Sequence, residues 1–148
     1  MLDDYGLEAA IDSHISQYMS RYEIEVKFEK PEQPISRLGS SIEMTFLRIT
    51  QEALMNIARH AQATQVHLRL WHEDRKVCMT IQDNGAGIAS WESANRPGSH
   101  GLTIMRERAE AVGGSLKVSS VPGKGTNIEV KIPVETSGPS PAKKEVRP

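Results

Sequence analysis

The chain has 148 residues and a mass of 16.4 kDa, which is about the length of one domain. Its 18 basic and 19 acidic residues leave a net charge of -1, so the composition does not favour nucleic-acid binding. One cysteine, Cys78, excludes an internal disulfide and a cysteine metal cluster. No apolar run approaches the roughly 20 residues that span a bilayer, and the N-terminus lacks a signal-peptide pattern. We therefore expect a soluble, cytoplasmic domain that contains both helices and strands.

The N-terminal part predicts one helix followed by one strand. The helix covers about Asp4–Arg21, because five apolar side chains recur at helical spacing: Leu7, Ile11, Ile15, Tyr18 and Tyr22. The strand is short and half-buried, because three apolar residues alternate with charged ones: Ile24, Val26 and Phe28. Pro31 and Pro34 end this strand.

A second helix is predicted to begin at Ser40 or Ser41, either of which would cap it, and to run unbroken to about Ala63. Its apolar residues lie on most sides, so it should be largely buried. Four polar residues interrupt this pattern at i, i+4, i+7 and i+8 and form one stripe: Glu52, Asn56, Arg59 and His60. A polar stripe on a buried helix either packs against a polar neighbour or faces a binding site.

The rest of the chain alternates between hairpins and one more helix. Two alternating runs around the turn residues His72–Arg75 predict a hairpin. A loop over Asp83–Pro97 precedes a helix over about His100–Val112, which stops at two glycines. A second hairpin turns at Pro122–Gly125, and its last strand has three inward residues: Ile128, Val130 and Ile132. This order predicts an α+β fold, a two-layer sandwich with the helices on one face of a mixed, mainly antiparallel sheet. Val134–Pro148 is rich in Pro, Ser and Lys, and we expect a disordered tail there.

Three glycine clusters mark possible binding loops. In Asp83-Asn84-Gly85-Ala86-Gly87-Ile88, a carboxylate at a strand end precedes backbone that can approach a flat ligand, although Asn-Gly also occurs in ordinary turns. Gly98–Leu102 opens a helix whose free N–H groups can bind an anion, or is a flexible loop capped by Ser99. Gly123–Thr126 can equally be a simple hairpin turn. None of the clusters matches a P-loop or a dinucleotide-binding fingerprint.

The polar stripe favours a metal and phosphate site. Asn56 offers a neutral oxygen ligand suited to Mg²⁺, which retains waters and shares phosphate oxygens with the protein. Glu52, one turn earlier, can orient or deprotonate a group near that metal. Arg59 or His60, one turn later, can meet phosphate charge.

Four segments together resemble the motifs of the GHKL ATPases, the superfamily of gyrase, Hsp90, histidine kinases and MutL. QEALMNIARHAQA resembles the N box, DNGAGI the G1 box, GSHGLTIMRERAEAVGG the G2 box and GKGTNIEVKIP the G3 strand. The similarity covers about Ile42–Pro133 in the right order. It is greatest to bacterial sensor histidine kinases of the nitrate-sensor and DesK type, and it implies the Bergerat ATP-binding fold.

The resemblance implies a role for each matching position. Asn56 would ligate Mg²⁺, and Asp83 would accept the adenine amino group. Glu52 matches the glutamate that activates water in the ATP-hydrolysing relatives, and Arg59 stands where a lysine is more common. The other implied ATP-binding positions form the adenine floor, the phosphate loop and the adenine side: Gly85, Gly87, Ile88, His60, His100, Gly101, Leu102 and Thr126.

As a function, the resemblance implies transfer of the ATP γ-phosphate to a histidine on a separate dimerisation domain. Residues 1–22 would end the connecting helix, residues 23–133 would form the catalytic domain and residues 134–148 the tail. We expect a monomeric fragment of a homodimeric, membrane-anchored kinase that also has a cognate response regulator. A serine kinase of the anti-sigma type and a non-catalytic nucleotide sensor are the alternatives. The upstream sequence would separate the first from a histidine kinase, and an ATP titration would test the second.

Overall fold

The computed structural model describes residues 2–87 and 101–134, which form three α-helices and a five-stranded sheet. The elements in chain order are α1 (Leu2–Arg21), β1 (Glu25–Glu29), α2 (Ser40–Asn56), a π-helical turn (Ile57–Ala61), β2 (Gln65–Glu73), β3 (Lys76–Asp83), α3 (Gly101–Ala111), β4 (Ser115–Val121) and β5 (Gly125–Pro133). No helix within the described ranges is both long enough and apolar enough to cross a membrane.

The sheet is mixed and mainly antiparallel, as the sequence predicts. Its strand order is β1-β2-β3-β5-β4, with β1 parallel to β2 and every other pair antiparallel. The parallel pair needs a crossover, and α2 provides it. The alternation predicted for β5 is confirmed, since Ile128, Val130 and Ile132 are all buried.

The core lies between the three helices and one face of the sheet. In β2, Val66, Leu68 and Leu70 are buried while His67 and Arg69 between them are exposed, so only one face of this strand is covered. The helices contribute buried apolar residues to the same cluster: Leu7, Ile11, Ile15 and Tyr18 from α1, Phe46, Ile49, Ala53 and Leu54 from α2, and Met105 and Ala109 from α3. The predicted two-layer arrangement is therefore confirmed, and α1 packs into the same core as the sheet.

The prediction of an unbroken helix to Ala63 with a serine cap is wrong at both ends. Gly39 occupies the N-cap position with φ 93°, and no side chain caps the helix. At the other end the α-helix gives way after Asn56 to the π turn, which stops where Gln62 adopts a left-handed conformation (φ 54°). Periodicity did not reveal this change, because a single π turn shifts the apolar pattern by only one residue.

The first hairpin turns later than the sequence predicts. Asp74 and Arg75 both have positive φ, 47° and 64°, and form a two-residue turn between strands that pair through Glu73 and Lys76. His72 therefore lies on β2, exposed and opposite Val77, and not in the turn.

Two further features modify the ends of the fold. α1 breaks at Gly6, whose φ of 85° and ψ of -177° are not helical. Val134, the first residue assigned to the tail, is buried, and its N–H donates to Arg75 O at 2.9 Å.

A buried carboxylate organises the entry to α2. Glu43 is 2% exposed; its Oε1 and Oε2 accept hydrogen bonds from the Arg37 guanidinium and its Oε2 also accepts the Leu38 N–H, each at 3.0 Å. Burial acts to raise the pKa of Glu43, but the Arg37 and Leu38 hydrogen bonds outweigh burial and hold the pKa below its ordinary value. Ionised Glu43 therefore stabilises the folded state.

Glu43→Gln should lower the free energy of unfolding by about 1–3 kcal/mol at pH 7, because the amide cannot accept as many hydrogen bonds. A depressed carboxyl pKa gives stability that is present above the unfolded value of 4.5 and is lost as pH falls below it. The difference between variant and wild type should therefore shrink in urea melts below about pH 4.5. Glu107→Gln, on the exposed side of α3, is the control, and an equal loss in both variants would contradict the role of Glu43.

Candidate functional site

The carboxylate of Asp83 ends β3 under the helical layer. Asp83 pairs in register with buried Val66, and facing residues of an antiparallel pair point to the same side, so its side chain points inward. It is 3% exposed. Oδ1 accepts the N–H of Gly85 at 2.7 Å, whereas Oδ2 has no hydrogen-bond partner among the described residues.

The Oδ2 atom of this carboxylate can accept a hydrogen bond from a ligand. Burial raises the pKa of Asp83, and the backbone N–H groups of Gly85 and Thr126 only partly offset that rise. A ligand N–H that reached Oδ2 would satisfy the buried oxygen and favour the ionised form. Binding of such a ligand should therefore weaken as pH falls toward the raised pKa.

The second hairpin packs directly on Asp83. Gly125 (φ 104°) lies so close that an added Cβ would collide with the carbonyl oxygen of Asp83. The next residue, Thr126, is buried, and its Oγ1 has no hydrogen-bond partner in the part of the chain that the structure describes. Gly123 N–H donates to Ala86 O at 3.0 Å, and this bond ties the hairpin turn to the loop that follows Asp83. We call residues 83–87 the first glycine loop.

A second polar group lies at the end of α2. Asn56 is 4% exposed, and its Nδ2 has no hydrogen-bond partner within residues 2–87 and 101–134. An added Cβ at Gly101, the first residue of α3, would lie 3.1 Å from Glu52 Oε2 and 3.2 Å from Asn56 Nδ2. The start of α3 therefore approaches the stripe of α2, and its unpaired N–H groups are the part of a helix that binds anions.

Tyr18 connects these two parts of the site. Its hydroxyl donates to Leu54 O at 2.9 Å, between Glu52 and Asn56 along α2. The pKa of Tyr18 is raised by burial and by the charges of Tyr22 and Asp83. Tyr18 thereby joins α1 to the segment of α2 that carries Asn56.

The structure does not keep the four residues of the predicted polar stripe on one face of α2. A π turn holds more residues than an α turn, so the residues after Asn56 rotate relative to Glu52. Arg59 is exposed on this turn, while His60 is half-buried. Leu102 is half-buried beside Gly101, and Gly87 packs on Ser120 and Val121 with φ 105°. Two predicted site residues, Ile88 and His100, lie outside the described residues.

The donor groups suit a hard cation more than a zinc ion. Residues 2–87 and 101–134 contain no cluster of three or more His, Cys, Asp or Glu that could hold a metal. The amide of Asn56, beside the carboxylate of Glu52, provides the one or two oxygen ligands with which proteins usually hold Mg²⁺ on a phosphate. Rotation of the Asn56 amide can present its oxygen where Nδ2 now lies.

Sequence reasoning missed Tyr18 and Asn84 as parts of this site. Tyr18 fits the apolar period of α1, so nothing in the pattern signals that its hydroxyl bonds to α2. Asn84 stands in Asp-Asn-Gly, which is equally typical of a turn. A signal was available for Asn84 alone, since its amide falls between two residues assigned to the adenine site.

The α+β fold and its buried polar groups can be compared with families of known proteins. Residues 41–136 match the profile of the histidine kinase-, DNA gyrase B-, and HSP90-like ATPases. This match covers more than half of the chain. The chain belongs to this family of nucleotide-binding ATPase domains.

The similar proteins of known type are sensor histidine kinases. The chain is 33% identical over 133 residues to the sensor histidine kinase LiaS of Bacillus subtilis (strain 168), covering 90% of this chain and 36% of LiaS. It is also 33% identical over 135 residues to the histidine-protein kinase/phosphatase DegS of Brevibacillus brevis, covering 91% of this chain and 34% of DegS. The chain thus spans about a third of the length of these relatives.

Solved structures show the same fold. The histidine kinase domain of a blue-light activated kinase from Erythrobacter litoralis EL346 superposes with a TM-score of 0.72 at 23% identity, covering 86% of this chain and 61% of that one. The Acinetobacter baumannii histidine kinase AdeS gives a TM-score of 0.65 at 16% identity, covering 88% of this chain and 64% of that one. These matches confirm the predicted fold class.

Gly125→Ala should be more destabilising than Gly123→Ala by about 1–3 kcal/mol, because only the first methyl group meets backbone. Both glycines have positive φ, 104° and 78°, so the conformational strain of alanine is similar in the two variants. Urea denaturation of both variants measures the difference. Equal losses would show that Gly125 does not pack against Asp83.

Proposed function

We propose that this domain holds Mg-ATP and passes its γ-phosphate to a histidine on a separate dimerisation domain of a two-component sensor kinase. Membership in the ATPase family supports nucleotide binding, and the sensor-kinase relatives support the choice of acceptor. These relatives also favour a histidine kinase over a serine kinase of the anti-sigma type.

One observation carries the nucleotide site. Across the described ranges, three buried side-chain atoms have no hydrogen-bond partner: Asn56 Nδ2, Asp83 Oδ2 and Thr126 Oγ1. Buried polar atoms are nearly always paired, so an unpaired group in a native protein calls for an explanation. All three belong to residues that the sequence assigns to the ATP site, and a bound nucleotide with its metal would satisfy them together.

The base would be recognised by the carboxylate of Asp83. Its Oδ2 accepts the exocyclic amino group of adenine, while Oδ1 remains on the Gly85 N–H and holds the carboxylate in place. Thr126 adds a hydroxyl on the neighbouring strand. Gly85 and Gly87 keep the loop backbone close to the flat face of the ring.

The phosphates would lie between α2 and the start of α3. Gly101 and Leu102 would offer backbone N–H groups there. Arg59 and His60, which lie on the π turn after Asn56, would add donors if the nucleotide extends toward that turn. Asn56 would hold Mg²⁺, which when bound neutralises phosphate charge during transfer. Glu52, whose Oε2 lies near the start of α3, would orient or deprotonate a group beside the metal, and in an open cleft it would act as a general base toward water.

The remaining parts of the reaction belong to the rest of the proposed kinase. Phosphoryl transfer depends on an acceptor held in line with the γ-phosphate, and we assign the acceptor histidine to a separate helical dimerisation domain. That domain makes the whole kinase a homodimer, and residues 1–22 would connect to it. A membrane anchor and a cognate response regulator complete the proposed system.

Asn56→Ala should remove most of the enhancement of ATP binding by Mg²⁺ and leave part of the metal-free affinity. The reason is that the variant loses a metal ligand but keeps the adenine site at Asp83. Calorimetric titration with and without Mg²⁺ measures both quantities. An equal loss under the two conditions would instead assign Asn56 a structural role on α2.

The chain alone should bind Mg-ATP as a monomer without labelling itself from γ-labelled ATP. The described histidines do not offer an exposed helical acceptor: His67 contacts Glu29 at 3.0 Å on β2, His72 also lies on β2, and His14 is half-buried. Adding the dimerisation domain of the same kinase should restore labelling on that domain. Acid-labile phosphate on this chain alone would contradict the assignment and identify a histidine such as His72 as the acceptor.

A further inference from the structure

The side chain of Asn84 joins the first glycine loop to the start of β2. Its Oδ1 accepts the N–H groups of Thr64 at 2.9 Å and Gln65 at 3.1 Å. Its Nδ2 donates to Thr64 Oγ1 at 3.0 Å. The backbone N–H of Asn84 adds a bond to Gln65 O at 3.2 Å. Four hydrogen bonds therefore connect one loop residue to two consecutive residues.

Thr64 and Gln65 lie at the junction between the helical segment and the sheet. Thr64 and Gln65 lie within four residues of the end of the π turn at Ala61, where the chain leaves α2 and enters the sheet at β2. Thr64 O also accepts the N–H of Glu25, at 2.9 Å, which extends the connection to β1. We call the hydrogen bonds of Asn84 to Thr64 and Gln65 the clamp. The clamp connects the loop after Asp83, the end of the helical segment that begins with α2, and the first strand.

The two residues next to Asn84 in the chain form the carboxylate site. Asp83 precedes it and carries the unpaired Oδ2, while Gly85 follows it and donates its N–H to Asp83 Oδ1. The Asn84 amide is exposed, and both of its polar ends already bond to the protein. Its contribution to binding would therefore come from holding Asp83 in place and not from direct contact with a ligand.

We propose that Asn84 is a positioning residue for adenine recognition, which ties the loop of Asp83 to the exit of α2 through Thr64 and Gln65. This inference rests on the proposed function, because it assumes that Asp83 reads the base. Without the clamp, the loop keeps its fold but samples orientations in which Oδ2 no longer meets the amino group of adenine.

Three substitutions separate the parts of the clamp. Asn84→Ala removes all three side-chain bonds, and Thr64→Val removes only the hydroxyl acceptor while keeping the branched shape. Asn84→Asp keeps an oxygen for both backbone N–H groups, and its second oxygen can accept from the Thr64 hydroxyl, so it is the conservative rescue. Gln17→Ala, an exposed amide on α1, is the matched control.

The decisive measurement is the ratio of ATP to GTP affinity, taken by titration well below each variant's unfolding temperature. GTP carries an acceptor where ATP carries the amino donor, so displacement of Asp83 weakens ATP binding selectively. Asn84→Ala should lower the ratio by roughly five- to tenfold, Thr64→Val by a smaller factor, and Asn84→Asp and the control by little. A loss of stability alone would not change this ratio.

A double-mutant cycle tests whether Asn84 acts through Asp83. In the Asp83→Asn background, Asn84→Ala should reduce ATP affinity little further, because residues that act on one contact are not additive. An unchanged ATP/GTP ratio in Asn84→Ala, or in Thr64→Val if the alanine variant does not fold, overturns the inference. Full additivity in the cycle also overturns it.

The same titrations distinguish this failure from a failure of the proposed function. A wild-type chain that binds neither nucleotide would contradict the ATP site itself. A wild-type chain that prefers ATP, together with an Asn84→Ala variant that keeps the full preference, would contradict the role of Asn84 alone.

Discussion

The carboxylate of Asp83 is buried with only one of its two oxygens bonded to the protein, and much of the surrounding structure follows from this arrangement. An ionised group under a helical layer is unfavourable unless its environment compensates, and here the Gly85 and Thr126 amides do so only in part. The remaining oxygen is costly in the free protein and available to a ligand. The unpaired oxygen lowers the stability of the free protein and becomes paired when a ligand binds, which is common at functional sites.

The backbone around Asp83 is correspondingly constrained. Gly125 lies where any side chain would meet the Asp83 carbonyl, and Gly87 packs on Ser120 and Val121 in the other strand of the same hairpin. Asn84 anchors the loop from the opposite side through Thr64 and Gln65. The loop is therefore held on both sides.

The proposed phosphate-binding part of the site depends on another feature, the change from α-helix to π-helix after Asn56. α2 is packed against the sheet by its buried residues Ile49, Ala53 and Leu54, which determine where Asn56 points. The π turn then redirects the chain into β2, so the two ends of the nucleotide site share one continuous segment. π turns inside helices often occur at functional sites, and this one lies between the proposed metal ligand and the residue clamped by Asn84.

The sequence by itself determined the fold class and the faces of the strands, and it supplied the polar residues of the proposed site. These properties are local: β5 alternates with a period of two, α1 repeats at helical spacing, and the motif residues stand in a characteristic order. Tertiary structure decided the rest. It determined the π turn, the break at Gly6, the late turn at Asp74 and Arg75, and the hydrogen bonds of Tyr18 and Asn84. The hydrogen bonds of Tyr18 and Asn84 join residues far apart in the chain, such as the 36 positions from Tyr18 to Leu54, and a local pattern carries no information about such contacts.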